Sequence, residues 1–216
     1  MRYLVRGNAP SLLQDSQWLK SKKQWRDVGN DDKAIIWQQL DLMQDGRCAY
    51  CERELSVQGK RHIDHFHQRR AWAAGTFAWE NLFGSCNDEQ CCAKHKDNHA
   101  GKYDWQDLLK PDQDNPDDFL EFSSDGTVRP KEGLDPEKRR RAEVTLRVFN
   151  LDAERGPLRR MRQQAIVGWL NSLEELRQMD DGSPEMGEVI EKELAQWLTQ
   201  IEERPFSTAI RHALQQ

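Results

Sequence analysis

The stretch Gly46-Arg47-Cys48-Ala49-Tyr50-Cys51 decides the fold of this chain, because it opens a concentration of soft metal ligands. The chain has five cysteines and six histidines, and only His212 lies outside the interval from Cys48 to His99. An odd number of cysteines does not suit a complete disulfide framework. No apolar secretory segment follows Met1, so we expect a reducing, cytoplasmic setting. The pattern therefore favours metal binding.

Cysteine spacing predicts a structural zinc site. Cys48 and Cys51 are separated by two residues, which lets both sulfurs reach one ion while backbone N–H groups face the thiolates. A second group follows at Cys86, Cys91 and Cys92. Cys86 can pair with either of the other two, and the sequence leaves that choice open. Two cysteine pairs around one ion form a closed tetrahedral site of the kind that binds structural zinc.

The composition excludes both a disordered chain and a membrane-spanning one. The 216 residues are 37% hydrophobic and 32% charged, with eight tryptophans and seven phenylalanines. Disordered chains are poor in aromatic residues, and no apolar run approaches the roughly 20 residues of a membrane span. The formal net charge of −5 argues against avid, unaided binding to nucleic acid. It is compatible with a small basic site on an acidic body.

Capping residues predict two helices before the cysteine-rich segment. Ser11 follows a proline and is expected to cap the first helix. Asp31 or Asp32 is expected to cap the second, which should end at Gly46, the residue type most common after a helix. This part of the chain is therefore expected to be a helical arm.

The sequence after the cysteine-rich segment predicts a β-hairpin and then helices. Residues 119–122 and 127–128 flank a Ser-Asp-Gly turn, which is typical of a hairpin. Asp135 followed by proline is a strong helix start. Apolar residues then recur at the three-to-four spacing of helices in residues 158–176, 186–201 and 206–214.

The stretch His62-Ile63-Asp64-His65-Phe66-His67 is the densest group of reactive side chains. It suits the end of a strand, where adjacent side chains point to opposite faces, so Asp64 and His65 should diverge. One of them can then bind a metal while the other faces a different part of a substrate. Further candidates follow at Asn81, His95 and His99. The two histidines are four residues apart and would share a helical face.

These motifs resemble the HNH nuclease family, whose core is a zinc-stapled ββα-metal finger. The resemblance covers roughly residues 46–104 and rests on Cys48-x2-Cys51, Asp64-His65, Trp79-Glu80-Asn81-Leu82, Ser85-Cys86 and Cys92-Ala93-Lys94-His95-Lys96-Asp97. More closely, the chain resembles the PtuB-type HNH proteins of Septu and retron anti-phage systems. The motifs that carry this closer likeness are Met1-Arg2-Tyr3, Leu151 and Leu158-Arg159-Arg160-Met161-Arg162.

The resemblance implies a metal-dependent endonuclease. By this likeness His65 is the general base and Asp64 a ligand of a catalytic Mg²⁺ or Mn²⁺. Asn81 holds the finger and orients His65. The chemistry agrees, because a base with a pKa near neutral activates water and carboxylates suit hard cations. Zinc would be held by Cys48, Cys51, Cys86 and either Cys92 or Cys91.

One departure concerns the further metal ligand that the family takes from the helix. Many relatives have Asn or His directly after the last zinc cysteine, whereas this chain has Ala93 if that cysteine is Cys92. Alanine cannot bind a metal. The replacement expected first is His95, then His99, with Asp97 as a third option.

We therefore expect an α+β, mostly α-helical protein in three regions. These are an N-terminal helical arm (1–45), an HNH ββα-metal core (46–110), and a β-hairpin with a helical C-terminal lobe that docks on a partner (111–216). The resemblance implies a nucleic-acid substrate, a PtuA-type ATPase partner and, in retrons, a reverse transcriptase with its RNA–DNA product. No membrane partner is expected. The alternative is a catalytically inactive zinc-binding adaptor, and the choice between DNA and RNA stays open.

Overall fold

A computed structural model describes residues 1–55 and 60–215. Within them, seven α-helices surround two small antiparallel sheets of two strands each. The helices are α1 (Ser16–Ser21), α2 (Asn30–Gln44), α3 (Cys92–Asn98), α4 (Pro136–Phe149), α5 (Pro157–Gln178), α6 (Pro184–Glu202) and α7 (Ser207–Leu214). The strands are β1 (Arg61–His65), β2 (Leu82–Cys86), β3 (Leu120–Phe122) and β4 (Val128–Pro130). The expectation of an α-rich chain with small sheets is confirmed.

The β1–β2 sheet positions the reactive stretch. Arg61 pairs with Cys86 at one end of the sheet, and His65 pairs with Leu82 at the other. Helix α3 begins a few residues after β2 and contacts it. The order strand, strand, helix therefore places the cysteines, Asp64 and His65 around one short sheet.

Helix α2 docks on this sheet through a close backbone approach at Gly84. The amide of Gln44 accepts a hydrogen bond from Gly84 N at 2.7 Å and donates one to Gly84 O at 2.9 Å. A Cβ atom at Gly84 would lie 2.7 Å from the Trp37 ring, so only glycine fits here without a shift. The last turn of α2 is thus fixed to the middle of β2.

The two N-terminal helices differ from expectation at their starts. Residues Ser11–Gln14 form a 3₁₀ turn, and α1 is capped instead by Asp15, whose carboxylate accepts from the N–H groups of the next turn. Helix α2 has Gly29 at its cap position, and Asp32 accepts a hydrogen bond from Gly29 N. The prediction that Ser11 caps the first helix was therefore wrong, because Asp15 directly precedes α1 and accepts hydrogen bonds from its free N–H groups.

The C-terminal helices are tied to the cysteine-rich segment. Helix α7 contacts α5, α6 and β3. The guanidinium of Arg47 donates to the carbonyl oxygens of Glu202 and Arg204 at 2.8 and 2.7 Å. The buried carboxylate of Glu52 accepts from Ser207 Oγ at 3.1 Å. One cluster of buried apolar side chains accordingly draws on all three expected regions.

The later elements match the spacing signals. Asp135 caps α4 by accepting from Lys138 N at 2.9 Å, and the hairpin forms as β3 and β4. Among the described helices, none combines the length and the apolar character that crossing a bilayer would require.

Candidate functional site

Four buried cysteines form the first part of the site. The sulfurs of Cys48, Cys51, Cys86 and Cys92 all lie within 4.8 Å of one another. Cys48 Sγ also accepts a hydrogen bond from Cys86 N at 3.4 Å, as a thiolate in a metal knuckle does. Although burial opposes it, hydrogen bonds from the neighbouring thiols hold the pKa of Cys48 well below its usual value. Four sulfur donors in a closed, buried group could bind a metal such as zinc.

The structure distinguishes between the two adjacent cysteines. Cys92 belongs to the four-sulfur group, whereas Cys91 does not. Cys91 occupies the cap position of α3, with its sulfur 4.0 Å from Cys86 Sγ. Cys92 has a φ of 56°, a left-handed backbone conformation at the point where the chain enters the helix. This local bend is compatible with Cys92 turning its sulfur toward the group.

His65 lies at the end of β1 with its tautomer fixed. Its Nε2 is 2.9 Å from the carbonyl oxygen of Thr76. A carbonyl only accepts hydrogen bonds, so Nε2 carries the proton and Nδ1 keeps its lone pair. The ring of Trp25 meets the imidazole edge-on, with 4.6 Å between centroids. Burial lowers the pKa of His65 to about 4, although the Thr76 carbonyl opposes that shift, so the ring is neutral at pH 7.

Asp64 is held in a buried network on the same strand. Its Oδ2 accepts from the Tyr50 hydroxyl at 2.5 Å, and its Oδ1 is 3.2 Å from Lys96 Nζ. The Lys96 ammonium also donates to His65 O at 3.0 Å and to Asp97 Oδ1 at 2.7 Å. The Lys96 side chain is fully buried. Lys96 is therefore an internal partner of two carboxylates, those of Asp64 and Asp97.

The ligand set expected for a catalytic divalent ion is not brought together. His95 turns toward α4, with its Nδ1 2.9 Å from Val148 O, and His99 is exposed next to it. Neither lines the cavity beside Asp64. Among the described residues, the four cysteines are the one group of three or more ligand side chains close enough to share an ion. The residues present do not form a ready site for Mg²⁺ or Mn²⁺.

Asn81 holds the chain that follows His65. Its side-chain oxygen accepts from His67 N at 2.7 Å, and its amide nitrogen donates to His67 O at 3.1 Å and to Gly75 O at 3.0 Å. The side chain is buried, so these three bonds satisfy it fully. Asn81 thus fixes His67, two residues after His65, and Gly75, the residue before Thr76, and so acts on the imidazole indirectly.

A cavity of about 740 Å³ adjoins His65 and Asp64. Its wall also contains the rings of Trp25 and Trp37, the carboxylate of Asp97, and five cationic side chains, which are Lys33, Arg61, Arg69, Arg70 and Lys94. Arg61 pairs with Asp41 and Lys94 with Glu89. The other three cations form no ion pair within the part of the chain that the structure describes. The acidic chain therefore carries a locally basic cavity, suited to an anionic ligand.

The two remaining histidines of the reactive stretch, His62 and His67, lie at different cavities. His62 lies in the wall of this cavity, and its buried Nδ1 has no hydrogen-bond partner among the described residues. His67 faces a second cavity instead.

Several contributors were not evident from the sequence. Tyr50 lies between the first two cysteines, and its ring stacks on Phe149 with centroids 4.1 Å apart while its hydroxyl reaches Asp64. Thr76 contributes only a backbone oxygen, which leaves no sequence signal. Trp25 comes from the arm before α2. Only the position of Tyr50 inside the cysteine knuckle could have suggested a role.

Comparison with known proteins finds a distant similarity. The chain is 28% identical over 141 residues to a protein named Septu protein PtuB from Bacillus mycoides (strain KBAB4). The alignment covers 52% of this chain and 45% of that protein, so the chain spans about half the length of its relative. No protein-family model matches the chain. The similarity supports a relation to PtuB-type Septu proteins.

Proposed function

We propose that this chain is an HNH-type endonuclease that hydrolyses phosphodiester bonds of nucleic acids. The observation that carries the proposal is His65, a neutral histidine of fixed tautomer that lines a basic cavity. The similarity to a Septu protein supports it, as does the adjacent four-cysteine group, for which zinc is the proposed structural ion.

The chemistry follows from the atoms at the cavity. A water molecule attacks phosphorus and gives its proton to Nδ1 of His65, while the bond to the leaving oxygen breaks and that oxygen takes a proton from solvent. The unpaired cations Lys33, Arg69 and Arg70 neutralise the charge that develops on the phosphoryl group. Asn81 keeps the segments around His65 in place.

A requirement for Mg²⁺ or Mn²⁺ stays a prediction. The hard donors at the cavity are the carboxylates of Asp64 and Asp97, and both contact the Lys96 ammonium. An ion at that position would have to take the place of this ammonium. The mechanism proposed here accordingly uses the protein's own side chains, and cleavage assays with and without each ion test the requirement.

The decisive experiment compares histidine variants in nuclease assays on DNA and on RNA. His65→Ala and His65→Gln should each lower cleavage by about 10²-fold or more, because a general base contributes that much. The glutamine variant retains a polar side chain in the buried space. His99→Ala, at the exposed residue directly after α3, should cleave normally. Near-normal cleavage by both His65 variants would remove this histidine from the mechanism.

The second candidate function is a zinc-binding adaptor without catalytic activity. Ala93 in the first turn of α3 and the Lys96 ammonium on Asp64 favour it, because both occupy places where the family resemblance led us to expect metal chemistry. Absence of cleavage by the unmodified protein under every metal condition, together with intact partner binding, would establish the adaptor.

We also propose a PtuA-type ATPase as a partner, on the strength of the Septu relative. The C-terminal lobe presents exposed apolar side chains on α5 and α6, among them Val167 and Val189, each more than half exposed. Val167→Asp and Val189→Asp should reduce co-purification with such an ATPase while the fold is retained. Unchanged co-purification by both variants would place the docking surface elsewhere. A reverse transcriptase partner stays an expectation of the retron resemblance.

A further inference from the structure

A second cavity of about 360 Å³ adjoins the basic one. Gln68 and Arg70 line both cavities, so the two cavities share a wall. The Gln68 amide donates to Asp97 Oδ1 at 2.9 Å and accepts from Arg70 Nε at 2.9 Å, which fixes the shared wall. The volume is at the lower end of the range for small-molecule sites.

Aromatic rings form one side of this second cavity. The imidazole of His67 lies nearly parallel to the indole of Trp105, with centroids 4.6 Å apart and 18° between the planes. Trp72 lies nearly parallel to the same imidazole at 5.4 Å. Trp105 remains 40% exposed. The stack therefore ends in an indole that still offers surface to a further planar ring.

Polar groups complete the lining. The hydroxyl of Tyr103 is buried and has no hydrogen-bond partner among the described residues. Lys102 is exposed and forms no ion pair within that same part of the chain. A planar surface, an unsatisfied hydroxyl and a free cation are the groups that recognise a base, a base edge and a phosphate.

We propose that this second cavity binds one unpaired nucleotide next to the bond that is cleaved, an inference that rests on the proposed nuclease function. Its base stacks on Trp105, and its phosphate is neutralised by Lys102 and Arg70. A base inside a duplex already has both faces stacked, so only an unpaired base can use the indole. The substrate is accordingly single-stranded where it passes this cavity.

The test measures binding rather than cleavage, using the full-length His65→Ala protein and a fluorescently labelled oligonucleotide. The probe is prepared as single-stranded DNA, single-stranded RNA and a DNA duplex of the same sequence. Adding Trp105→Ala should weaken single-strand binding about tenfold, the size expected for one lost base stack, and leave duplex binding unchanged. Trp105→Phe should restore most of the affinity. Leu42→Ala, at an exposed apolar residue of α2 outside the cavity, is the matched control.

Equal single-strand binding with and without Trp105 would overturn the inference, and so would absence of binding by every protein. An equal loss for duplex and single strand would also overturn it, because it would indicate a general effect on the surface. The proposed function fails separately. If the protein with an intact His65 cleaves no nucleic acid but still binds single strands in a Trp105-dependent way, the nucleotide-binding cavity is supported and the nuclease proposal is rejected.

Discussion

At one end of the β1–β2 sheet, Cys86 joins three other cysteines in a closed group, and at the other end His65 lines a cavity of about 740 Å³. The cysteine end contains one kind of donor, fully buried, and suits a metal that never meets substrate. The histidine end combines a neutral base, paired carboxylates and free cations. One short sheet thus supports a site suited to stability and another suited to chemistry.

The difference between the two ends also separates the roles of the adjacent residues Asp64 and His65. Both residues adjoin the cavity, but Asp64 is bound by Tyr50 and Lys96, whereas Nδ1 of His65 keeps its lone pair. Breaking the buried contacts should therefore affect stability first, whereas changing the imidazole should affect activity first. The predictions that follow separate these two effects.

The largest effect is expected at the cysteine end. Cys48→Ser should lose bound zinc and unfold at a much lower temperature, because metal binding in small zinc domains is worth on the order of 10 kcal/mol of folding free energy. Cys91→Ser is the matched control and should keep its metal, since Cys91 lies outside the four-sulfur group. Metal analysis and thermal melting measure both. Zinc retained by Cys92→Ser but lost by Cys91→Ser would reverse the assignment of the fourth ligand.

The next effect concerns the buried ion pair. Lys96→Met should destabilise the fold by about 3–5 kcal/mol, because it leaves the Asp64 carboxylate buried without its cation. Lys94→Met, which removes only a partly exposed pair with Glu89, should change stability by less than about 1 kcal/mol. Denaturant unfolding measures both. If adding Asp64→Asn to Lys96→Met recovers none of the lost unfolding free energy, the broken Lys96–Asp64 ion pair is not the cause of the loss.

A smaller effect tests how α2 supports the sheet that joins both ends. Gly84→Ala should cost about 1–3 kcal/mol, since the added methyl group would lie 2.7 Å from the Trp37 ring. Gly168→Ala, in an exposed turn of α5 with open space around it, should instead stabilise by about 0.5–1 kcal/mol. Chemical unfolding of the two variants should move in opposite directions. An equal loss of stability in both variants would mean that the change in backbone freedom, and not the contact with Trp37, determines the effect.

The smallest effect lies away from both ends and depends on pH. Asp117 is partly buried, but hydrogen bonds from His212 and Arg211 on α7 lower its pKa from 3.8 to about 2. A lowered carboxyl pKa stabilises the fold above its ordinary pKa, and that stabilisation is lost as the pH falls toward 2. Asp117→Asn should therefore cost about 1–2 kcal/mol at pH 7, allowing for solvent screening, and almost nothing near pH 2. A pH-independent difference would contradict this.

Much of the local structure could be predicted from short sequence intervals. The two-residue spacer brings Cys48 and Cys51 together, Asp135 with the following proline begins α4, and the three-to-four spacing produces α5 and α6. Each signal acts within one or two turns of chain, where backbone geometry fixes which side chains are neighbours. The α-rich character and the cysteine group were for this reason accessible from the sequence.

The tertiary structure alone decided the composition of each site. In the folded chain Cys92, and not Cys91, joins the four-sulfur group, and His95 contacts Val148. Lys96 contacts Asp64, which lies 32 positions earlier in the sequence. These outcomes depend on how α3 docks against β2 and α4, and a rotation of one residue along a helix redirects a side chain by about 100°. Spacing within a helix fixes which residues share a face, but only packing against other elements determines what that face meets.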